Sequence, residues 1–224
     1  MDVLLCVAHG TQNSAGVHAV SQIVDVMHTA RPALDVRLCW VELVEPDVPT
    51  ALAAVPPARP VVVVPLLLST GYHDRVDIPA AVRAARPDAV QAAPLGPDPL
   101  LARALADRLA EAGRRPGDAV VLAAAGSADP DAVAAVRAQA ELLAAELDAP
   151  VTAAFGSTAE PDVLTAVAAA RPGRVAIVPY LLAPGFFTGR LASAGADVLA
   201  APLGAHPAVV ELALRRYDEV STRR

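Results

Sequence analysis

The 224 residues suffice for one large domain or for two lobes of about 110 residues each. A hydrophobic content of 54% allows a substantial core and excludes a disordered chain. The net charge of -6 and the pI near 5.3 argue against nucleic-acid binding, which requires a basic face. All 18 basic residues are arginines, which excludes a lysine Schiff base and a P-loop.

Apolar runs of strand length alternate with helical stretches through the first half of the chain. Continuous apolar runs are typical of parallel strands that helices cover on both faces. This alternation predicts right-handed crossovers and an open parallel sheet flanked by helices. In chain order, the predicted strands are Val3–Ala8, Val36–Val41, Val61–Leu68 and Val90–Ala92, and the predicted helices are Ala15–Ala30, Val48–Val55, Ile78–Ala85 and Pro99–Ala112.

Three features favour a cytoplasmic protein. The apolar run Val61–Leu68 is eight residues long and contains Pro65, so it is too short to span a membrane. Asp2 follows the initial methionine without a basic segment, so no secretory signal is expected. Cys6 and Cys39 lie in predicted strands without CxxC spacing, which predicts buried, inert thiols.

The second half of the chain repeats the first. EPDVPTALAAV from Glu45 matches EPDVLTAVAAA from Glu160 at eight of eleven positions. VVVVPLLLSTG from Val61 likewise matches VAIVPYLLAPG from Val175, and two shorter matches keep the same order. We therefore predict a duplication with an N-terminal lobe at 1–112, a linker at 113–118 and a C-terminal lobe at 119–224, the two lobes related by an approximate twofold axis.

Three chemically active residues follow three successive strands of the first lobe. His9 lies just past the first strand, Glu42 just past the second, and His73 in the loop after the third. Functional groups of open parallel sheets gather at the carboxyl ends of the strands, so we expect these side chains to meet. Two imidazoles and a carboxylate suit a divalent transition metal, and they equally suit proton acceptors near neutral pH.

The duplication provides an internal control for this site. The repeat alignment sets His9 against Ala125, Glu42 against Ser157, and His73 against Phe187. Framework residues persist, because Gly10, Pro65, Gly71 and Glu45 return as Gly126, Pro179, Gly185 and Glu160. Residues needed only for folding would have been kept in both halves, so the loss of all three indicates a functional role in the first lobe.

The motifs around these residues resemble those of the class II tetrapyrrole chelatases, most closely the sirohydrochlorin chelatases. The resemblance rests on Ala-His-Gly-Thr from Ala8, Trp-Val-Glu from Trp40, and Gly-Tyr-His-Asp-Arg-Val-Asp-Ile-Pro from Gly71. It covers the whole chain as a fused two-lobe form and implies a chelatase-like α/β fold. Asp74 departs from the pattern, where an aliphatic residue is expected.

The resemblance implies insertion of Fe²⁺ or Co²⁺ into sirohydrochlorin during sirohaem or cobalamin synthesis. His9, Glu42 and His73 would then be catalytic residues, metal ligands or both. No permanently bound cofactor is expected, and the metal (Fe²⁺, Co²⁺ or Ni²⁺) is a substrate. The resemblance also implies an anionic tetrapyrrole substrate, for which Thr11, Arg75 and Arg190 are the expected binding residues. The Phe186–Phe187 pair would either face the macrocycle or belong to the core.

Two alternatives remain open. A non-catalytic metal or tetrapyrrole carrier would use the same three residues. A histidine phosphatase also places His-Gly after its first strand, but Ala8 replaces the arginine that would hold the phosphate. With both lobes in one chain, we expect a monomer that binds neither nucleic acid nor membrane.

Overall fold

The computed structural model describes residues 2–222, and its first half contains four parallel strands. The strands are hydrogen-bonded in the order β2-β1-β3-β4. Each predicted strand and helix of this half is present with small shifts at its ends. The strands are β1 (Val3–Ala8), β2 (Asp35–Trp40), β3 (Val61–Pro65) and β4 (Val90–Gln91), and the helices are α1 (Ser14–Ala30), α2 (Val48–Ala53), α3 (Ile78–Ala85) and α4 (Pro99–Glu111).

The second half repeats this architecture with a sheet of order β6-β5-β7-β8. The predicted duplication and the α/β fold class are therefore confirmed. The strands are β5 (Ala119–Ala124), β6 (Val151–Phe155), β7 (Val175–Pro179) and β8 (Val198–Leu199), and the helices are α5 (Pro130–Leu147), α6 (Val163–Ala169), α7 (Phe186–Leu191) and α8 (Pro207–Ser221).

The first core is aliphatic and encloses both cysteines. Strands β1 and β3 are buried along their whole length, as continuous apolar runs require. Helix α1 buries Val20, Ile23, Val24 and Met27. Cys6 and Cys39 are unpaired and buried, and burial raises the pKa of the Cys39 thiol to about 12. The predicted inert thiols are consistent with this environment. None of the helices within residues 2–222 is both long and apolar enough to cross a membrane.

The two compact units of the structure differ from the predicted lobes. One unit comprises the residues up to Leu95 together with those from Ala205 onward, and the other comprises Gly96–Gly204. Helix α4 therefore belongs to the second unit and α8 to the first. The predicted boundaries at 1–112 and 119–224 do not coincide with these units, and 113–118 joins α4 to β5 inside the second unit.

Packing explains this exchange of helices. Helix α4 contacts α5 and β7, whereas α8 contacts α1 and β3. Within the first unit, Arg31 Nη1 donates to Asp218 Oδ1 at 2.7 Å and ties α8 to the end of α1. Within the second unit, Arg108 Nη2 donates to the Leu203 carbonyl at 2.8 Å. An amphipathic helix reveals which face it buries but not which sheet receives it, so the sequence leaves this choice open.

We predict that Leu212→Ala will destabilise the first unit, although residue 212 lies in the second repeat. Leu212 of α8 is fully buried, and its truncation should cost about 2–5 kcal/mol. Hydrogen exchange should accelerate in β1 and β3, whereas Leu105→Ala in α4, also fully buried, should accelerate it in β5 and β7. The assignment of α8 to the first unit and α4 to the second is wrong if Leu212→Ala accelerates exchange in β5 and β7 and Leu105→Ala accelerates it in β1 and β3.

Candidate metal centre

Backbone hydrogen bonds hold His9 and Glu42 side by side. Strands β1 and β2 are parallel, with Ala8 opposite Trp40 at the last paired position. The pairing continues past the strand ends, because Val41 N donates to Ala8 O at 2.8 Å and Glu42 N donates to His9 O at 3.1 Å. The side chains of both residues therefore leave the same edge of the sheet, as the sequence predicts.

Gly10 permits this close approach. Its φ of +109° lies in a region that L side chains rarely adopt, and an added Cβ would stand 1.9 Å from the Glu42 carbonyl oxygen. In the second unit, Gly126 has a φ of +98° and an added Cβ would stand 2.0 Å from the Ser157 carbonyl oxygen. The two glycines thus confirm that Glu42 and Ser157 are equivalent.

His73 opens a π-helical turn, His73–Asp77, that runs directly into α3. The prediction of a loop at this position is wrong. Asp74, which departs from the chelatase-like motif, is the buried residue of this turn and is bound by Gln91 of β4. Gln91 Nε2 donates to the Asp74 backbone oxygen at 3.0 Å and to Oδ1 at 3.1 Å. Burial raises the pKa of this carboxyl against the opposing effect of the hydrogen bond.

The three predicted residues converge on one point. One ligand atom from each of His9, Glu42 and His73 lies within 4.8 Å of the others, and no other such group of three occurs in the described part of the chain. His9 Nδ1 is 3.4 Å from Glu42 Oε1. The His9 and His73 rings meet edge to face with centroids 4.5 Å apart. Metal–ligand bonds are about 2.0–2.2 Å long, so small side-chain rotations would bring the three atoms around one ion.

The site is accessible from solvent. The His9 and Glu42 side chains are 52% and 48% exposed, and that of His73 is 33% exposed. Glu42 and His73 line a cavity of about 400 Å³ together with Asp47 and Asp77. Three protein ligands leave coordination positions for water or a substrate, which is the arrangement of reactive rather than structural metal sites.

The corresponding place in the second unit has lost this chemistry. Ser157 Oγ donates to the Ala125 carbonyl oxygen at 3.0 Å. The ring of Phe187 packs on Gly156 so closely that an added Cβ there would lie 1.4 Å from Phe187 Cε2. A cavity of about 250 Å³ remains, lined by Phe155, Phe187 and Arg190 among others. An aromatic side chain thus occupies the position of His73, and no ligand set remains.

The predicted substrate-binding residues lie in three different settings. Thr11 is in the turn after β1, where its Oγ1 accepts a hydrogen bond from Asn13 N at 3.1 Å. Arg75 is exposed on the π-helical turn, two residues after His73. Arg190 is exposed on α7 in the second unit, with its guanidinium 6.0 Å from the Phe186 ring centroid. Phe186 is exposed, whereas Phe187 packs against the second core.

Sequence reasoning missed a fourth residue of the site. Asp77 Oδ2 lies 2.7 Å from His73 Nδ1, four residues along the same turn. Side chains four residues apart face each other on a helix, so the spacing would have revealed the pair had the segment been predicted as helical.

The chain is thus a two-repeat α/β protein with a candidate metal site in its first unit, and the comparisons identify its family. The profile of the CbiX family matches residues 3–112 and again residues 119–220. The chain therefore belongs to the CbiX family, which confirms the resemblance predicted from its motifs. No curated protein sequence matches significantly.

Solved structures extend the likeness to the whole chain. SirB from Bacillus subtilis with Fe³⁺ has a TM-score of 0.83 and 25% identity, covering 98% of this chain and 95% of that one. The sirohydrochlorin chelatase SirB from Bacillus subtilis subspecies spizizenii in complex with cobalt has a TM-score of 0.80 and 27% identity, with the same coverage. CbiX, the terminal enzyme for biosynthesis of siroheme in denitrifying bacteria, has a TM-score of 0.75 and 22% identity, covering 98% and 99%, which supports the fold alone.

We predict that Gly10→Ala will both destabilise the protein and weaken metal binding. The added methyl group meets a backbone oxygen, so the free energy of unfolding should fall by more than about 2 kcal/mol. Urea denaturation and titration with Co²⁺ would measure the two effects.

Two other glycines serve as controls. Gly126→Ala should destabilise the protein similarly but leave Co²⁺ affinity unchanged, because no ligand adjoins it. At Gly113 φ is +83° and a Cβ would meet nothing within 4 Å, so alanine should cost only about 1 kcal/mol. Unchanged cobalt affinity in folded Gly10→Ala protein would refute the role of this contact in the site.

Proposed function

We propose that this protein inserts a divalent metal ion, Fe²⁺ or Co²⁺, into sirohydrochlorin during sirohaem or cobalamin synthesis. The observation that carries the proposal is the convergence of His9, Glu42 and His73 at an exposed sheet edge. Two of the similar structures are of SirB with Fe³⁺ and with cobalt, and one of them is named a sirohydrochlorin chelatase. Both cover nearly the whole of this chain.

The reaction requires two changes that the site is suited to assist. The metal ion must shed bound water, and two pyrrole N–H protons must leave the macrocycle as the metal–nitrogen bonds form. Imidazole and carboxylate groups can replace water around the ion and can accept protons. The three side chains therefore serve as metal ligands before transfer, as proton acceptors during it, or as both.

Arginines are the proposed partners of an anionic substrate. Arg75 lies two residues from His73 and is exposed, so it can reach a carboxylate of a macrocycle bound over the metal. Arg190 is the second candidate, and Thr11 offers a hydroxyl close to His9 in sequence. Guanidinium groups bind carboxylates in a planar, bidentate manner, which suits a substrate with several carboxylates.

A cytoplasmic location is consistent with the unpaired thiols Cys6 and Cys39. Reducing conditions keep cysteines unpaired, and both thiols are inert through burial.

We predict that the purified protein will accelerate the change in visible absorbance of sirohydrochlorin on addition of metal. The assay is run anaerobically with Fe²⁺, Co²⁺ and Ni²⁺ in parallel, because the ligand set does not rank these metals. His9→Ala and His73→Ala should each lower kcat/KM by at least about 100-fold, because each removes a ligand or proton acceptor.

His18→Ala is the matched control, because His18 is an exposed histidine on α1 outside the site. It should retain full activity. Full activity in the double variant of His9 and His73 would refute the assignment. Tight metal binding without any turnover in the unmodified protein would instead identify a carrier.

We predict that the active form is a monomer, because both repeats are present in one chain. Size-exclusion chromatography with light scattering across the assay concentrations should give a mass near 22.9 kDa. Activity that appears only with formation of a dimer would contradict this prediction.

A further inference from the structure

The π-helical turn pairs His73 with the carboxylate of Asp77. Asp77 Oδ2 lies 2.7 Å from His73 Nδ1, and the two side chains are 37% and 33% exposed. The distance is that of a short, well-formed hydrogen bond. Asp77 occupies the N-cap position of α3 but makes no side-chain capping hydrogen bond. Its carboxylate is therefore not used to stabilise the start of that helix.

Other aspartates show what a capping role looks like in this fold. Asp47 accepts a hydrogen bond from Thr50 N at the start of α2, and Asp162 accepts one from Thr165 N at the start of α6. This capping residue is thus retained in both repeats. Asp77, in contrast, corresponds to Leu191 by the same offset that relates His73 to Phe187. It has been lost together with the three metal-centre residues.

The contact determines which ring nitrogen of His73 is available. A neutral imidazole has one N–H and one lone pair, and an ionised carboxylate can only accept a hydrogen bond. Nδ1 must therefore carry the proton, which leaves the lone pair on Nε2. Carboxylate–histidine pairs fix the tautomer and the ring orientation of metal-binding histidines in this way.

We infer that Asp77 is a positioning residue that holds His73 as the Nδ1–H tautomer and directs its Nε2 to the metal. Only the effect of Asp77 on turnover rests on the proposed function. The tautomer of His73 and the affinity for a metal ion can be measured without sirohydrochlorin. Loss of such a partner typically weakens metal binding by about 10–100-fold.

The decisive measurement is the ¹⁵N NMR spectrum of the histidine rings in the metal-free protein, at about pH 8.5, where imidazoles are neutral. The five histidines are distinguished by the loss of the His73 signals in His73→Ala. The unmodified protein should show Nδ1–H at His73, and Asp77→Ala should shift the population towards Nε2–H. Asp77→Asn, whose amide oxygen still accepts a hydrogen bond, should retain Nδ1–H.

Titration with Co²⁺ completes the test. Asp77→Ala and Asp77→Leu, the residue of the second repeat, should raise the Kd for Co²⁺ about 10–100-fold, and Asp77→Asn should raise it less. Circular dichroism establishes that each variant is folded. If Asp77→Ala does not fold, Asp77→Asn is compared with Asp77→Leu instead.

Three results would overturn the inference: Nε2–H at His73 in the unmodified protein, an unchanged tautomer in Asp77→Ala, or an unchanged Kd in both Asp77→Ala and Asp77→Leu. If sirohydrochlorin is not metallated while the tautomer and Kd respond as expected, the proposed function fails and the role of Asp77 stands.

Discussion

The candidate metal centre depends on the close approach of two backbone segments just past the ends of β1 and β2. Hydrogen bonds from Val41 and Glu42 extend the parallel pairing beyond the strands, and Gly10 leaves room for the Glu42 carbonyl. Any side chain at position 10 would push the two segments apart. The distance between His9 and Glu42 is thus set by the backbone, which is stiffer than the side chains that carry the chemistry.

Comparison with the second repeat distinguishes the residues that the fold requires from those of the candidate site. Gly126 and Ser157 preserve the same backbone approach, so this geometry belongs to the fold itself. The ligands do not persist, and Phe187 instead adds apolar contact to the second core. Burial of an aromatic ring stabilises a core, whereas clustered polar ligands gain little without a metal. Loss of the site is therefore compatible with, and even favourable to, stability of the second unit.

The sequence predicts the strands, the helices and the three-residue site, because each depends on local patterns and on the common edge of parallel strands. It does not predict that α4 and α8 exchange units, since equivalent helices in the two repeats have equally suitable apolar faces. The partnership of Asp77 with His73 was also missed. It depends on a π-helical turn, and the motif around His73 carries no helical periodicity that would distinguish this turn from a loop.

The exposure of the centre favours transfer of a metal over its storage. Sites that retain a metal enclose it with four protein ligands, whereas sites that react keep positions open. Here the three candidate ligands are between one-third and one-half exposed, and two of them line a cavity that is also lined by further carboxylates. The exposure of these side chains leaves them accessible to a hydrated ion. Asp77 would fix the orientation of His73, with one ring nitrogen directed towards the ion. The site can therefore hold its ligands in a defined arrangement and still leave coordination positions open.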